Sequence, residues 1–353
     1  MSDLTTIPSS AADAVPADIP SARRADRRMW LLQEGWTGFV LIALVIGFTI
    51  WSSSFLSRLN WLNTSSTATE VLLLALGETF VIIAGGIDLS VGAVLGLSGM
   101  TGGWVMSELS TGTNPNTAAV VAAGFATAIV IGSFCGLVNG WLIARHNIPA
   151  FVVTLGSMGV ATGLADLVYN GQEISNIPAW VGSFGNKDLL GWIPVPVLIT
   201  AALCVVCGLA LAKTRFGSHT YTIGDNRDAA IRAGIPYQRH LIKIYTLAGL
   251  LAGIDGVLVM SRLDAASPTS GTTDNLNAIA AVVIGGASLF GGQGSFVGTV
   301  AGALTLTLLG DVIFAVHLPS YWTVLADGLL LIAAVLAGMG LQALQARRAG
   351  GGA

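Results

Sequence analysis

The chain alternates long apolar runs with short polar links, and the runs match the thickness of a bilayer. A helix needs about 20 apolar residues to cross the hydrocarbon layer, with about 17 as the low end. On that ruler ten segments qualify, at about 35–55, 68–86, 91–107, 117–143, 150–169, 193–212, 242–261, 276–290, 295–315 and 321–341. The third and eighth are the shortest and are bordered by glycine. The pattern predicts an all-α integral membrane protein of about ten transmembrane helices.

Composition strengthens this expectation. Of 353 residues, 53% are hydrophobic and only 10% charged, whereas a soluble domain carries about 25% charged residues. The 45 glycines suit helices that approach closely in lipid. Charge then sets an orientation, because Lys and Arg gather in cytoplasmic loops. With the N-terminus inside, 13 of the 16 Lys and Arg fall on inner segments, leaving Arg58, Lys187 and Arg262 outside. Both termini and residue 226 are therefore expected on the cytoplasmic side, with residues 114 and 186 on the other. Residues 1–34, polar and containing RRADRR, read as a disordered cytoplasmic tail, since no apolar core precedes a cleavage site. Residues 35–341 form the membrane domain, and 342–353 a cytoplasmic C-terminal tail. Two loops stand out: an outer loop, Asn170–Trp192, and a large inner loop over 213–243.

A weak internal repeat joins VIIAGGIDLSVGAVLGLSG (Val81–Gly99) to VVIGGASLFGGQGSFVGTVAG (Val282–Gly302), with Gly85, Gly86, Leu89 and Gly92 recurring at a constant offset of 200. These are two glycine-interrupted, repeat-related elements. Paired interrupted segments in two halves of a transporter point to its pathway. Within the first, Gly85 and Gly86 can break the helix, and Asp88 or Ser90 can accept hydrogen bonds from the next helix's free N–H groups. A tight turn between two spans explains the same residues. Gly132, Gly136 and Gly140, then Gly249 and Gly253, and Gly294, Gly298 and Gly302, form small-residue ladders for helix packing.

The inner loop contains TRFGSHTYTIGDNRDAAIRAGIPYQRH (Thr214–His240). Asp225 or Asn226 is a good N-cap, Gly234 a good stop, and Pro236 forbids continuation. The result is a two-turn helix over Arg227–Ala233. Its small face is Ala229, Ala230 and Ala233, and its charges are Arg227, Asp228 and Arg232. Such a face can dock in a partner's groove, while a solvated surface helix reads the same way.

Taken in order, GGIDLSVG, NGWLIARHNIPAFVVTLGSM (Asn139–Met158), GDNRDAAIRAGI and NAIAAVVIGGASLFGGQGS (Asn277–Ser295) give a specific resemblance. The chain resembles permeases of ribose-type monosaccharide ABC importers, within a superfamily that includes branched-chain amino-acid permeases. The resemblance covers residues 35–341. It implies a bacterial cytoplasmic (inner) membrane protein that works as a homodimer with two cytoplasmic ATPase subunits and a periplasmic sugar-binding protein. It also implies that Gly224–Ile235 is the coupling helix, with Gly224, Asp225, Asn226, Arg227, Asp228, Ala229, Ala230, Arg232, Ala233 and Gly234 meeting the ATPase. The chain contains no G-x-x-x-x-G-K-[ST], so ATP and Mg belong to the partner subunit, and no cofactor or nucleic-acid partner is expected here.

For the pathway, a sugar needs neutral hydrogen-bonding groups. Asn139, Thr154, Ser157, Asn275 and Asn277, with Gly85, Gly86, Asp88, Ser90, Gly285 and Gly286, are the candidates in or near the interrupted segments. Asp255 departs from the family's pattern, which more usually has an uncharged residue there; it and Glu78 lie mid-span, where a carboxylate is expensive. They are the best support for the alternative, a proton-coupled secondary transporter. No nucleophile, base and orienting group can be assembled, which argues against an enzyme. Cys204 and Cys207 read as small apolar helix residues, as does Cys135, and the histidines have no metal-ligand spacing.

Overall fold

The structure, a computed structural model, describes residues 37–52, 55–111, 115–316, 318–319 and 321–350. The N-terminal tail and residue 114 lie outside the described residues. In chain order the helices are α1 (Thr37–Trp51), α2 (Arg58–Ile83), α3 (Val91–Leu109), α4 (Thr117–His146), α5 (Ala150–Val168), α6 (Ala179–Gly185), α7 (Val195–Lys213), α8 (Arg215–Asp225), α9 (Arg227–Arg232), α10 (Tyr237–Leu263), α11 (Asp274–Ile284), α12 (Phe296–Ala315) and α13 (Tyr321–Gly350). A two-residue hairpin, β1 (Asp188–Leu189) and β2 (Ile193–Pro194), precedes α7.

Among the described residues, α2, α4, α5, α7, α10 and α12 are long and apolar enough to cross a membrane; α1, α11 and Tyr321–Ala333 are shorter apolar helices. The helix α3 is missing from that group although it has 19 residues, because five of them are glycine. Those glycines have a packing reason. A Cβ at Gly96 would lie 2.8 Å from the Ser270 carbonyl, at Gly102 2.8 Å from the Gly124 carbonyl, and at Gly103 2.8 Å from the Ala266 Cβ. The glycines let α3 sit in the centre, against α4, α10 and the segment after α10.

Several boundaries differ from the apolar ruler. The helix α2 starts ten residues before the expected 68, because Ser57 caps it by accepting from the Asn60 N–H at 3.3 Å. Polar residues such as Asn60 and Asn63 are compatible with helix but invisible to a hydrophobicity ruler. Likewise α10 begins at Tyr237, directly after Pro236. The C-terminal segment expected to be a tail from 342 is helical through Gly350.

The largest departure is the eighth apolar run, where helix covers only Asp274–Ile284. Upstream of it, residues 264–273 are not helical but run along α3: Ala266 lies by Gly103, Ser270 by Gly96, and the Gly271 carbonyl by Gly92. Ala266 exchanges two backbone hydrogen bonds with Ile174, at 2.9 and 3.0 Å. Irregular backbone at membrane depth survives only where protein covers it, and Ala266, Ser267, Pro268 and Gly271 are buried.

The expected glycine ladder between α4 and α10 is present. A Cβ on Gly132 would stand 2.7 Å from the Gly253 Cα, and one on Gly249 would stand 2.9 Å from the Gly136 Cα. The third ladder is interrupted, since Gly294 lies before α12, which Ser295 caps.

Candidate functional site

Both double glycines end a helix in the same way. After α2, the Gly85 N–H donates to the Ile82 carbonyl and the Gly86 N–H to the Val81 carbonyl, each at 2.9 Å. After α11, the Gly286 N–H donates to Val283 at 2.9 Å and the Ala287 N–H to Val282 at 3.1 Å. These are Schellman ends, which need one left-handed residue. That residue is Gly85 (φ 84°) in the first and Gly286 (φ 96°) in the second. The geometric equivalents are thus one residue away from the sequence offset of 200. The other glycine of each pair has a different task. A Cβ on Gly86 would strike the Tyr245 hydroxyl, and one on Gly285 would press on the backbone of Gly298 and Thr299.

The expected cap of α3 by Asp88 or Ser90 is not what forms. Ser90 already has αR angles (φ −95°, ψ −14°) and makes no side-chain cap, whereas a capping residue needs extended angles. Instead Asp88 Oδ1 accepts from the Ser90 N–H at 2.8 Å and from the Ser90 hydroxyl at 2.6 Å. Asn139 on α4 donates through Nδ2 to Ser90 Oγ at 2.9 Å. Asn275 on α11 donates to the Leu89 carbonyl at 2.6 Å. Thr154 on α5 donates to the Ala150 carbonyl at 2.9 Å and lies 3.4 Å from the Ile87 carbonyl.

Three helices therefore converge on residues 87–90. Asp88, Ser90, Asn139, Thr154 and Asn275 are buried within this one chain, and they hold the break in shape. Ser157 and Asn277 are not part of this cluster. Both are half-buried, and Asn277 lines a small cavity between α11 and α13 with Thr273 and Asp327.

Sequence reasoning missed Tyr245, whose hydroxyl faces Gly86 and has no hydrogen-bond partner among the described residues. Both Glu78 oxygens and both Asp255 oxygens are likewise buried, with no hydrogen-bond partner among the described residues within normal geometry. It also missed the Arg262–Glu70 ion pair at 2.6 Å, which Thr67 supports by accepting from Arg262 Nη1 at 3.0 Å. A signal for this pair exists in the sequence, as two opposite charges at the ends of separate apolar runs.

The inner-loop helix forms as α9, capped by Asn226, whose Oδ1 accepts from the Ala229 N–H at 2.9 Å. It ends at Ala233 with Gly234 left-handed (φ 81°). Asp225 is the last residue of α8, and Gly224 lies in the same turn. Arg227 is fixed in place: its guanidinium lies 4.4 Å over the Tyr237 ring and donates to Asn147 Oδ1 at 2.6 Å. Two of the three residues of the expected small face are turned inward, and only Ala233 stays exposed. Ala230 is fully buried and Ala229 half-buried, so α9 packs on α8 and α10 through these two alanines. Its exposed residues are Arg227, Asp228, Ile231 and Arg232, followed by the capping Ala233.

Comparison with known proteins extends these observations. Residues 59–335 match the family described as the branched-chain amino acid transport system / permease component. The ribose import permease protein RbsC of Bacillus subtilis (strain 168) is 39% identical, over 84% of this chain and 89% of that protein. The ribose import permease protein RbsC of Escherichia coli (strain K12) is 33% identical, over 90% of this chain and 96% of that protein. The fructose import permease protein FrcC of Rhizobium meliloti is 33% identical, over 84% and 82%. No solved structure matches the chain. A match from α2 to α13, across both glycine breaks and the α8–α9 loop, makes this chain a member of the branched-chain amino acid transport system / permease component family.

Proposed function

We propose that the chain is the membrane-spanning permease subunit of an ATP-binding-cassette importer for a monosaccharide or related polyol. The observation that carries this reading is near full-length similarity to relatives named as import permeases for ribose and fructose. Ten helices, α1–α5, α7 and α10–α13, cross the bilayer, with α11 and the non-helical segment before it sharing one crossing. The α8–α9 end of the bundle is cytoplasmic. Arg145, Lys213, Arg215, Arg227, Arg232, Arg239 and Lys243 cluster in its loops and helix ends, while Arg58, Lys187 and Arg262 mark the other end, in keeping with the bias of cytoplasmic loops.

The exposed side of α9, with Ile231 at its centre, meets one of two cytoplasmic ATPase subunits, which bind ATP and Mg. A second copy of the permease completes the pathway. Support comes from α5, where a Cβ added at Gly156, Gly159 or Gly163 would meet nothing within 4 Å. This is an open face onto which another backbone can close. The solute passes along this boundary, beside Ser157 and Asn277, with the Asp88–Ser90–Asn139 cluster holding the break behind it. A periplasmic binding protein delivers it. The relatives named as import permeases favour this reading over a proton-coupled carrier.

The test is reconstitution of the permease with its ATPase and binding protein in liposomes. Uptake of labelled D-ribose or D-fructose should require ATP inside and survive collapse of the proton gradient. Uptake driven by a proton gradient in the absence of ATP would sink the proposal.

A further inference from the structure

Three segments distant in sequence meet backbone to backbone at the α8–α9 end. The Gly292 N–H, from the link between α11 and α12, donates to the carbonyl of Ile83, the last residue of α2, at 2.9 Å. Gly224, in the final turn of α8, lies between these two partners. A Cβ there would overlap the Ile83 carbonyl and stand 2.5 Å from the Gly292 nitrogen. From the other side, a Cβ on Gly291 would stand 3.0 Å from both the Gly224 Cα and the Gly85 Cα. One turn before Gly224, the Tyr221 hydroxyl donates to the Gly294 carbonyl at 2.7 Å. The end of α8 is thus wedged between the two helix breaks, and only Asn226 separates it from α9.

We propose that Gly224 is a positioning residue for transport. Through it, a displacement of the α8–α9 pair is passed to both glycine breaks at once, so that the α2–α3 and α11–α12 links move together. The contact is between backbones. Backbone cannot rotate out of the way as a side chain can, so the α8 end cannot shift without carrying Ile83 and Gly292 with it. The inference rests on α9 being the ATPase-docking element, and it adds the route by which docking reaches the breaks.

The experiment uses the reconstituted transporter and three readouts: ATPase co-purification with the permease, ATP hydrolysis, and sugar taken up per ATP hydrolysed, with labelled D-ribose and D-fructose offered together. Gly224→Ala is the main variant. Gly208→Ala is the control, since a Cβ there meets only Phe296, at an ordinary 3.9 Å. The expected result for Gly224→Ala is normal co-purification and continued hydrolysis, with uptake per ATP down tenfold or more. Uptake per ATP within twofold of wild type would overturn the proposal. If Gly224→Ala fails to accumulate, Tyr221→Phe decides, because it adds no bulk and removes only the hydroxyl's bonds. A several-fold loss of uptake per ATP with intact co-purification supports the junction, and an unchanged ratio overturns it. Failure of the docking reading shows differently, as co-purification that survives Ile231→Asp.

Discussion

At the residue scale, the two glycines of GGIDLSVG have separable duties, and alanine can distinguish them. Gly85 needs a left-handed backbone, yet its surroundings have room, with the nearest atoms 3.9 Å from an added Cβ. Gly85→Ala should therefore cost about 1–2 kcal/mol in backbone strain alone. Gly86→Ala has no such strain and instead collides with the Tyr245 hydroxyl, an overpacking cost of about 1–3 kcal/mol. Removing that hydroxyl should help only one of them. Thermal unfolding of the purified permease in detergent should show Tyr245→Phe restoring much of the loss in Gly86→Ala and nothing in Gly85→Ala. Equal rescue of both would mean the hydroxyl is not what Gly86 avoids. Leucine at Gly86 or Gly286 combines bulk with these demands and should reduce uptake severely at normal membrane abundance.

Elements carry the next level of argument, and α9 shows why burial has to be known before a test is chosen. Its alanines suggest a docking face, and Ala230→Trp looks like the natural probe. Ala230 is buried inside the chain, so tryptophan there would disrupt α9 against α8 and α10 whether or not a partner exists. The informative position is Ile231, 47% exposed on the outer side of the same helix. A surface apolar residue without a partner tolerates Ile231→Asp within about 0.5 kcal/mol. A docked one leaves an unpaired carboxylate in the interface, which costs several times that. Ile231→Asp should lose ATPase co-purification while its membrane abundance stays normal. On α5, Gly159→Leu fills an open glycine face and should convert the permease dimer to monomer in cross-linking from native membranes. Unchanged cross-linking would place the second copy on another helix.

Across the whole molecule, the arrangement of basic residues predicts which end faces the cytoplasm. Replacing Cys135, Cys204 and Cys207 with alanine and introducing single cysteines tests it. Lys187 and Arg232 are exposed at opposite ends of the bundle. Lys187→Cys should react in intact cells with a reagent that does not cross membranes, and Arg232→Cys only after the cells are opened. The reverse pattern would invert the protein and remove α9 from reach of a cytoplasmic ATPase.

The all-helical, membrane-spanning character was legible from the chain because each apolar run must be near the bilayer's thickness, and length is a local property. The number of helices was not, since only six of the described helices are long and apolar enough to cross and α6 and α8 lie outside the apolar runs. Legible as well were the capped ends at Asn226 and Gly234, which depend on neighbours within a few residues. The family was legible too, since its motifs are contiguous strings. Other features depend on contacts between residues far apart in the chain. Hydrophobicity could not show that 264–273 is non-helical, because what lets it run along α3 is the row of α3 glycines more than a hundred residues earlier. Periodicity could not say which side of α9 its alanines face, since a short helix with small and charged residues is compatible with either. The sequence repeat placed Gly85 opposite Gly285, whereas hydrogen bonding pairs it with Gly286, because a Schellman end counts from the last helical turn. The meeting of Ile83, Gly224 and Gly292 had no local signature at all: a glycine chosen for close approach looks the same in sequence as one chosen for a turn, and only the tertiary structure reveals the neighbour it makes room for.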